Sequence, residues 1–227
     1  MKKETGQAFR DSLAILPGYL VLGMGFGILM NSKGFSFFHT LAMSVFIYAG
    51  SMQFAGVDLL TGPASLITAF LMTVMVNIRH LFYGIGMLKE YGTIRKGRLY
   101  DIFALTDETF SIVCTRTFSH MDKDVYCFCL SLFNHLWWIS GSLIGAVLGD
   151  ILPFDYTGID FSMTALFIVI VVSQWESSTD HLIVVLSFLI SVACLLLFGK
   201  DDFLIWSMVL IALMLFILRR IRRRTDA

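Results

Sequence analysis

The residues of this chain that can do chemistry stand inside apolar runs. Asn77, Arg79 and His80 lie in a run at 63–88, and Asp107 with Glu108 interrupts another at 101–118. Gly50, Ser51 and Gln53 loosen a third run at 38–60. An Asp or Arg at the centre of a membrane helix costs about 2.5–3.5 kcal/mol on insertion scales, so each needs a physical account. Arg79 offers a planar fork of donors that suits a carboxylate, either an acidic side chain or a ligand. His80 titrates near neutral pH when unperturbed, although a satisfied structural histidine is the simpler reading. Asp107 and Glu108 either cap the free N–H groups of a helix start, or form a buried carboxylate that pairs with Arg79 or carries a proton. A helix break at Gly50, Ser51 and Gln53 exposes N–H groups that attract an anion, while an unbroken small-residue helix packs closely.

Those side chains require membrane helices to hold them. Of the 227 residues, 57% are hydrophobic and 15% charged, and the mean hydropathy is +0.78. A soluble domain carries far more polar surface. Long apolar candidates fall at 13–30, 38–60, 63–88, 125–149, 160–176, 181–199 and 201–218, with a shorter one at 101–118. The expectation is an all-α polytopic bundle of about six to eight membrane segments, some broken or re-entrant, in a single domain over 1–227. Pro153 with Asp155 marks one turn, and Gln174, Trp175, Glu176, Asp180 and His181 form another.

The cations are clustered. Lys2, Lys3 and Arg10 begin the chain, Lys89, Arg95, Lys96 and Arg98 form a central loop, and five arginines lie in the tail 219–227. Basic flanks mark cytoplasmic loops, so both termini are expected in the cytoplasm. Eight simple crossings would put the central basic loop outside. Six crossings with opposed re-entrant segments at 38–60 and 101–118 bring it inside, together with Arg116 and Lys123, in a transporter-like plan. Anionic lipid headgroups satisfy the basic tail, which argues against nucleic acid.

Glycines set the packing. Pro17 and Gly18 open the first run and introduce a kink. Gly23 and Gly27 form a G-x-x-x-G pair, as do Gly141 and Gly145, with Gly149 continuing that face. Such faces bring helix backbones together; the competing reading of the first is an unwound stretch along a solute path. The four cysteines, Cys114, Cys127, Cys129 and Cys194, make no C-x-x-C pair and read as small apolar residues. There is no H-E-x-x-H, G-x-S-x-G or Walker A pattern, so neither enzyme chemistry, a metal, a cofactor nor direct ATP use is expected.

With these residues in place, the chain resembles the large subunit of the branched-chain amino acid exporters, the AzlC or BrnF type, over about residues 6–218. The motifs that carry the likeness are Pro17-Gly18-Tyr19, Gly23-Met24-Gly25-Phe26-Gly27, Tyr48-Ala49-Gly50-Ser51-Met52-Gln53, Asn77-Ile78-Arg79-His80-Leu81-Phe82-Tyr83, Thr106-Asp107-Glu108-Thr109-Phe110 and 161–167. The resemblance implies a secondary exporter of leucine, isoleucine, valine and similar apolar amino acids in a bacterial inner membrane. It implies a proton gradient as driving force and a small hydrophobic partner subunit of the AzlD or BrnE type. Ser51 and Met52 depart from the family pattern, where smaller residues stand. On this reading Gly50, Ser51, Gln53, Asn77 and Arg79 bind the substrate, and Asp107, Glu108 or His80 serves proton coupling or an ion pair. A passive channel and an assembly subunit are the competing readings.

Overall fold

The computed structural model describes residues 2–118, 121–151 and 181–225, with Ile168, Val171, Val172, Trp175 and Glu176. Every regular element among them is helical: α1 (Lys2–Ser12), α2 (Leu16–Ser32), α3 (Phe37–Phe46), α4 (Gly50–Thr61), α5 (Leu66–Tyr91), α6 (Arg98–Phe103), α7 (Asp107–Thr115), α8 (Lys123–Ile151) and α9 (His181–Thr225). The chain divides into two compact units, 1–166 and 167–227.

In the first unit, α8 is the post around which the rest is arranged. Its 29 residues give a length of about 44 Å at 1.5 Å per residue, more than the ~30 Å hydrocarbon core. Against it lies α2, and the seam explains the glycines. A Cβ on Gly23 would meet Ser142 N at 2.9 Å, and one on Gly27 would strike Ser142 O and stand 2.5 Å from Ala146 N. From the other side, a Cβ on Gly141 would lie 2.8 Å from Tyr19 O, and one on Gly145 would lie 2.6 Å from Met24 Cα. Each of these positions presses on the partner helix's backbone, which cannot move aside as a side chain can. Close backbone approach of this kind replaces the hydrophobic drive that lipid removes.

The other helices are short or bent, for local reasons. Helix α1 is polar, and it meets α2 at 61°. Pro17 stands in the first turn of α2, where its missing N–H costs nothing. Pro17 and Gly18 are exposed there. Helix α5 begins on Ser65, whose side chain accepts from Thr68 N, and bends by 58° between Ile78 and Tyr83. Helix α7 begins on Thr106, whose hydroxyl accepts from Thr109 N at 3.3 Å.

Fewer crossings result than the six to eight expected. Among the described residues, Lys123–Ile151 and His181–Gly199 are long and apolar enough to span a membrane. Counting Lys2–Ser12 with Leu16–Ser32, and Leu66–Ile78 with Tyr83–Tyr91, as bent spans raises the number to four. Two of the apolar runs do not form single long helices. The run at 38–60 is cut into helices of 10 and 12 residues, and the run at 101–118 into helices of 6 and 9. Most of the candidate at 160–176 and the turn residues Pro153, Asp155, Gln174 and Asp180 lie outside the described residues, as does the 161–167 motif. In the second unit, Gly199 at φ 74° interrupts α9.

Polar contacts gather at the end where α5 finishes and α8 starts. The Asp124 carboxylate accepts from the backbone N–H of Arg95 and of Lys96, both at 3.1 Å. Lys123 pairs with Glu90. Arg116 pairs with Asp11 at 2.8 Å, and the Tyr126 hydroxyl donates to the same carboxylate at 2.5 Å.

Candidate functional site

The site begins with the interruption between α3 and α4. Three residues, Ile47, Tyr48 and Ala49, separate the two helices. Tyr48 takes φ 43°, a left-handed backbone that costs a non-glycine residue roughly 1–2 kcal/mol. Strain of this kind persists only where the surroundings hold it. Here the Tyr48 ring stacks on His135 of α8, with centroids 4.1 Å apart. His135 is itself fixed at both nitrogens: Nε2 lies 3.0 Å from Ser44 O, and Nδ1 lies 2.9 Å from the Tyr100 hydroxyl. A carbonyl oxygen can only accept, so Nε2 carries the hydrogen, and Nδ1 accepts from Tyr100. In this tautomer the imidazole is a bracket joining α3, α6 and α8 behind the break.

Past the break, α4 starts at Gly50. Ala49 supplies no side-chain cap, and the first turn of a helix presents N–H groups without intrahelical partners. A Cβ on Gly50 would sit 3.2 Å from the Trp138 ring, so glycine lets that indole close over the helix start. Ser51 and Gln53 are buried, at 2% and 0% exposed. Neither Gln53 Oε1 nor Nε2 has a hydrogen-bond partner. A buried amide in that condition costs about 1–3 kcal/mol.

In front of the break is a cavity of about 340 Å³, within the size range of small-molecule sites. Its apolar wall is made by Ile47, Met52, Ile102, Phe103 and Leu105, and its polar wall by Tyr48, Thr73, Asn77 and His80. Asn77 Oδ1 is buried without a partner. His80 Nδ1 lies 3.3 Å from Asn77 O, and its ring stands edge-on to Tyr83 at 6.0 Å. The bend in α5, between Ile78 and Tyr83, takes in His80 and follows Asn77.

A second polar cluster links α2, α7 and α8. The Tyr19 hydroxyl is 2.7 Å from Glu108 Oε2 and 2.7 Å from Thr106 Oγ1. With a single hydrogen, it donates to one of them at a time, and the carboxylate is the stronger acceptor. Thr106 Oγ1 lies 3.1 Å from Thr109 Oγ1, and Thr109 accepts from Asn134 Nδ2 at 3.0 Å. Asp107 and Glu108 therefore both occupy the first turn of α7, but only Glu108 reaches across to α2. Glu108 also acts electrostatically on Tyr48, which connects this cluster to the wall of the cavity.

Of the residues singled out by sequence, Asn77 and His80 line the cavity, and Gly50, Ser51 and Gln53 form the helix start beside it. Arg79 lies on α5 between Asn77 and His80, and its side chain is outside the described residues. Asp107 does not line the cavity. Gly23, Gly27, Gly141 and Gly145 lie away from it, in the seam.

The AzlC protein family's profile matches residues 14–152, which covers both polar clusters. The chain belongs to the AzlC family. As an AzlC-family protein it is a membrane transport protein and not an enzyme. It is 42% identical to the branched-chain amino acid transport protein AzlC of Bacillus subtilis strain 168, over 94% of this chain and 84% of that one. A membrane protein of Haemophilus influenzae is 40% identical over 91% of this chain and 86% of its own. The inner membrane protein YgaZ of Escherichia coli K12 is 26% identical over 74% and 71%. No solved structure matches the chain.

Sequence reasoning about this AzlC-family protein missed several roles. Tyr19 and Tyr48 enter only as parts of motifs, and nothing in the sequence marks the bracket role of His135. Asp101 was passed over, although it is the one acid between Leu99 and Leu105 in an otherwise apolar stretch. That isolation was the available signal.

Proposed function

We propose that the chain exports branched-chain or similar apolar amino acids across a bacterial inner membrane, as the large subunit of a two-component permease driven by the proton gradient. The observation that carries this reading is the cavity before α4. An amino acid has a charged head and an aliphatic tail, and the cavity has one wall for each. Ile47, Met52, Phe103 and Leu105 suit the tail. The uncapped start of α4, with the unpartnered Asn77 Oδ1 and the His80 ring nearby, suits the head. The free N–H groups and positive end of a helix dipole favour a carboxylate. Arg79 of α5 is the further group proposed for that carboxylate, and Glu108 the one for the ammonium. The name of the Bacillus subtilis relative supports the same substrate class.

A small hydrophobic subunit completes the proposed permease. The start of α5 offers it a lipid-facing stripe in Leu66, Ile67 and Phe70, which are 89%, 73% and 67% exposed. The basic residues around the α5–α8 end support a cytoplasmic side for it by the positive-inside rule, and the basic residues near the two ends of the chain support the same for both termini.

The test is efflux from a bacterial strain stripped of its own exporters and loaded with leucine-, isoleucine-, valine- and methionine-containing dipeptides. Export of those residues is expected when the chain is expressed with its small subunit, and a protonophore should abolish it. No efflux, with both subunits present in the membrane, overturns the substrate assignment. Full export by Arg79→Ala removes Arg79 from the carboxylate site.

A further inference from the structure

The first unit holds a second acid in a different condition from Glu108. Asp101 of α6 is 0% exposed, and neither of its carboxyl oxygens has a hydrogen-bond partner. Against it lies Ser131 of α8, also 0% exposed, whose hydroxyl is likewise unpartnered. The other titratable groups that face Asp101 are Tyr91 from α5, Asp124 and Cys127 from α8, and Tyr100 on its own helix. None of these is a cation. An ionised carboxylate left buried without a counter-charge costs several kcal/mol, and such a group takes up a proton instead. Protonated, it becomes a donor, and Ser131 Oγ is the acceptor at hand. One carboxyl and one hydroxyl supply too few oxygens for a metal cation, which takes about six or more.

The position of α6 gives that proton a consequence. Asp101 turns inward to α8, while the next two residues, Ile102 and Phe103, line the cavity. The preceding residue, Tyr100, donates to His135, the bracket that stacks on Tyr48. One short helix therefore carries a buried acid on one face and part of the cavity wall on another. It also adjoins the polar end, where Asp124 holds the backbone of Arg95 and Lys96.

We propose that Asp101 is the proton-binding residue of the transport cycle, and that its protonation locks α6 against α8 while its ionisation releases α6 and with it one wall of the cavity. The coupling half of this rests on the transporter reading; the protonation half does not. The step is a simple proton transfer, from water at the basic end to Asp101 and back. Glu108 differs in already having a hydrogen-bond partner on α2, the Tyr19 hydroxyl. Helix α6 lies outside the spanning helices. Burial pushes the Asp101 carboxyl up to about 6, with the Ser131 hydroxyl opposing the shift and Asp124 adding to it. The sign follows: a carboxyl raised on packing weakens the packed state as pH climbs through the interval between its free value and about 6, and adds no further change above it.

The full chain in vesicles allows three readouts. Infrared titration should find a protonated carboxyl in the wild type that Asp101→Asn lacks. Hydrogen exchange of residues 98–105, corrected for the intrinsic pH dependence, should rise about tenfold from about pH 5 to about pH 8 in the wild type and stay level in Asp101→Asn. Leucine counterflow should survive in Asp101→Asn to within about twofold, while flux driven by a pH gradient falls about tenfold or more. Ser131→Ala provides a milder variant, expected to raise the titration midpoint by removing the hydroxyl that favours the charge. The same carboxyl band in wild type and Asp101→Asn, or unchanged gradient-driven flux in Asp101→Asn, overturns the proposal. If the wild type moves no leucine, the amino-acid reading fails, and the carboxyl band with the exchange of α6 still decides the role of Asp101.

Discussion

The seam between α2 and α8 and the break between α3 and α4 lie on the same post and obey opposite rules. In the seam, glycines bring two backbones into contact, and Ser142 turns its hydroxyl back onto Trp138 O at 2.8 Å. At the break, a tyrosine is held in a left-handed backbone, and Gln53 and Asn77 keep buried polar atoms unpaired. The first region spends nothing on polar groups and gains contact area. The second tolerates strain and desolvation beside an open volume. Unpaired buried polar groups are rare in folded proteins and call for an explanation. A solute that binds and leaves supplies one, since its polar atoms satisfy those groups only part of the time.

Gly27→Val tests the seam most severely. The added atoms would strike Ser142 O and crowd Ala146 N, and neither atom belongs to a flexible side chain. Overpacking costs about 1–3 kcal/mol even in yielding cores, so a loss of about 3 kcal/mol or more is expected here. Yield of monodisperse protein in detergent, with its thermal midpoint, measures it. A variant as stable as the parent would mean that α2 and α8 are farther apart than the glycines imply.

Gln53→Leu probes the other region and should move stability the opposite way. Replacing a buried, unpartnered amide with an apolar side chain of similar size should stabilise by about 1–3 kcal/mol while weakening export. Unchanged export with raised stability would make the unpaired amide a packing residue. Asn77→Ala should be milder. Its Oδ1 has no protein partner to lose, so the fold should hold, and half-saturation for export should weaken by about fivefold to tenfold, the effect of one hydrogen bond. A transport assay over a range of leucine concentrations separates this from a change in maximum rate.

How much of this contrast was legible in the sequence depends on which force shaped each region. The seam was readable, because close helix contact demands small residues at a four-residue spacing, and Gly23, Gly27, Gly141 and Gly145 display it directly. The break was readable as a weakness at Gly50–Gln53, though not as a turn at Tyr48. A left-handed tyrosine leaves no local mark, since it is the stack on His135, 87 residues away, that holds it. Asn77 and His80 were found because polar residues in apolar runs are conspicuous, but the bend in α5 at His80 was not. The span count was overread for a related reason. Hydropathy averages over a window and passes across a three-residue break, so by itself it counts 38–60 as one run, and only the charge pattern and the small residues at Gly50–Gln53 argue against a simple crossing.

The smallest effect expected is at Gly18, which completes the comparison from within α2 itself. Gly18 lies on the same helix as Gly23 and Gly27, but a Cβ there would meet nothing within 4 Å. Its φ is not in the left-handed region, so alanine fits without strain. Glycine within a helix is less favourable than alanine by about 0.5–1 kcal/mol, so Gly18→Ala should raise stability by up to that amount. Transport should be unaltered if Gly18 serves only as the exposed first turn after Pro17. Should Gly18→Ala instead lower transport while stabilising the fold, the bend between α1 and α2 would need to flex during the cycle. Gly18 would then serve motion, and Gly23 and Gly27 contact. Thermal unfolding and leucine efflux, measured on the same preparation, distinguish these outcomes.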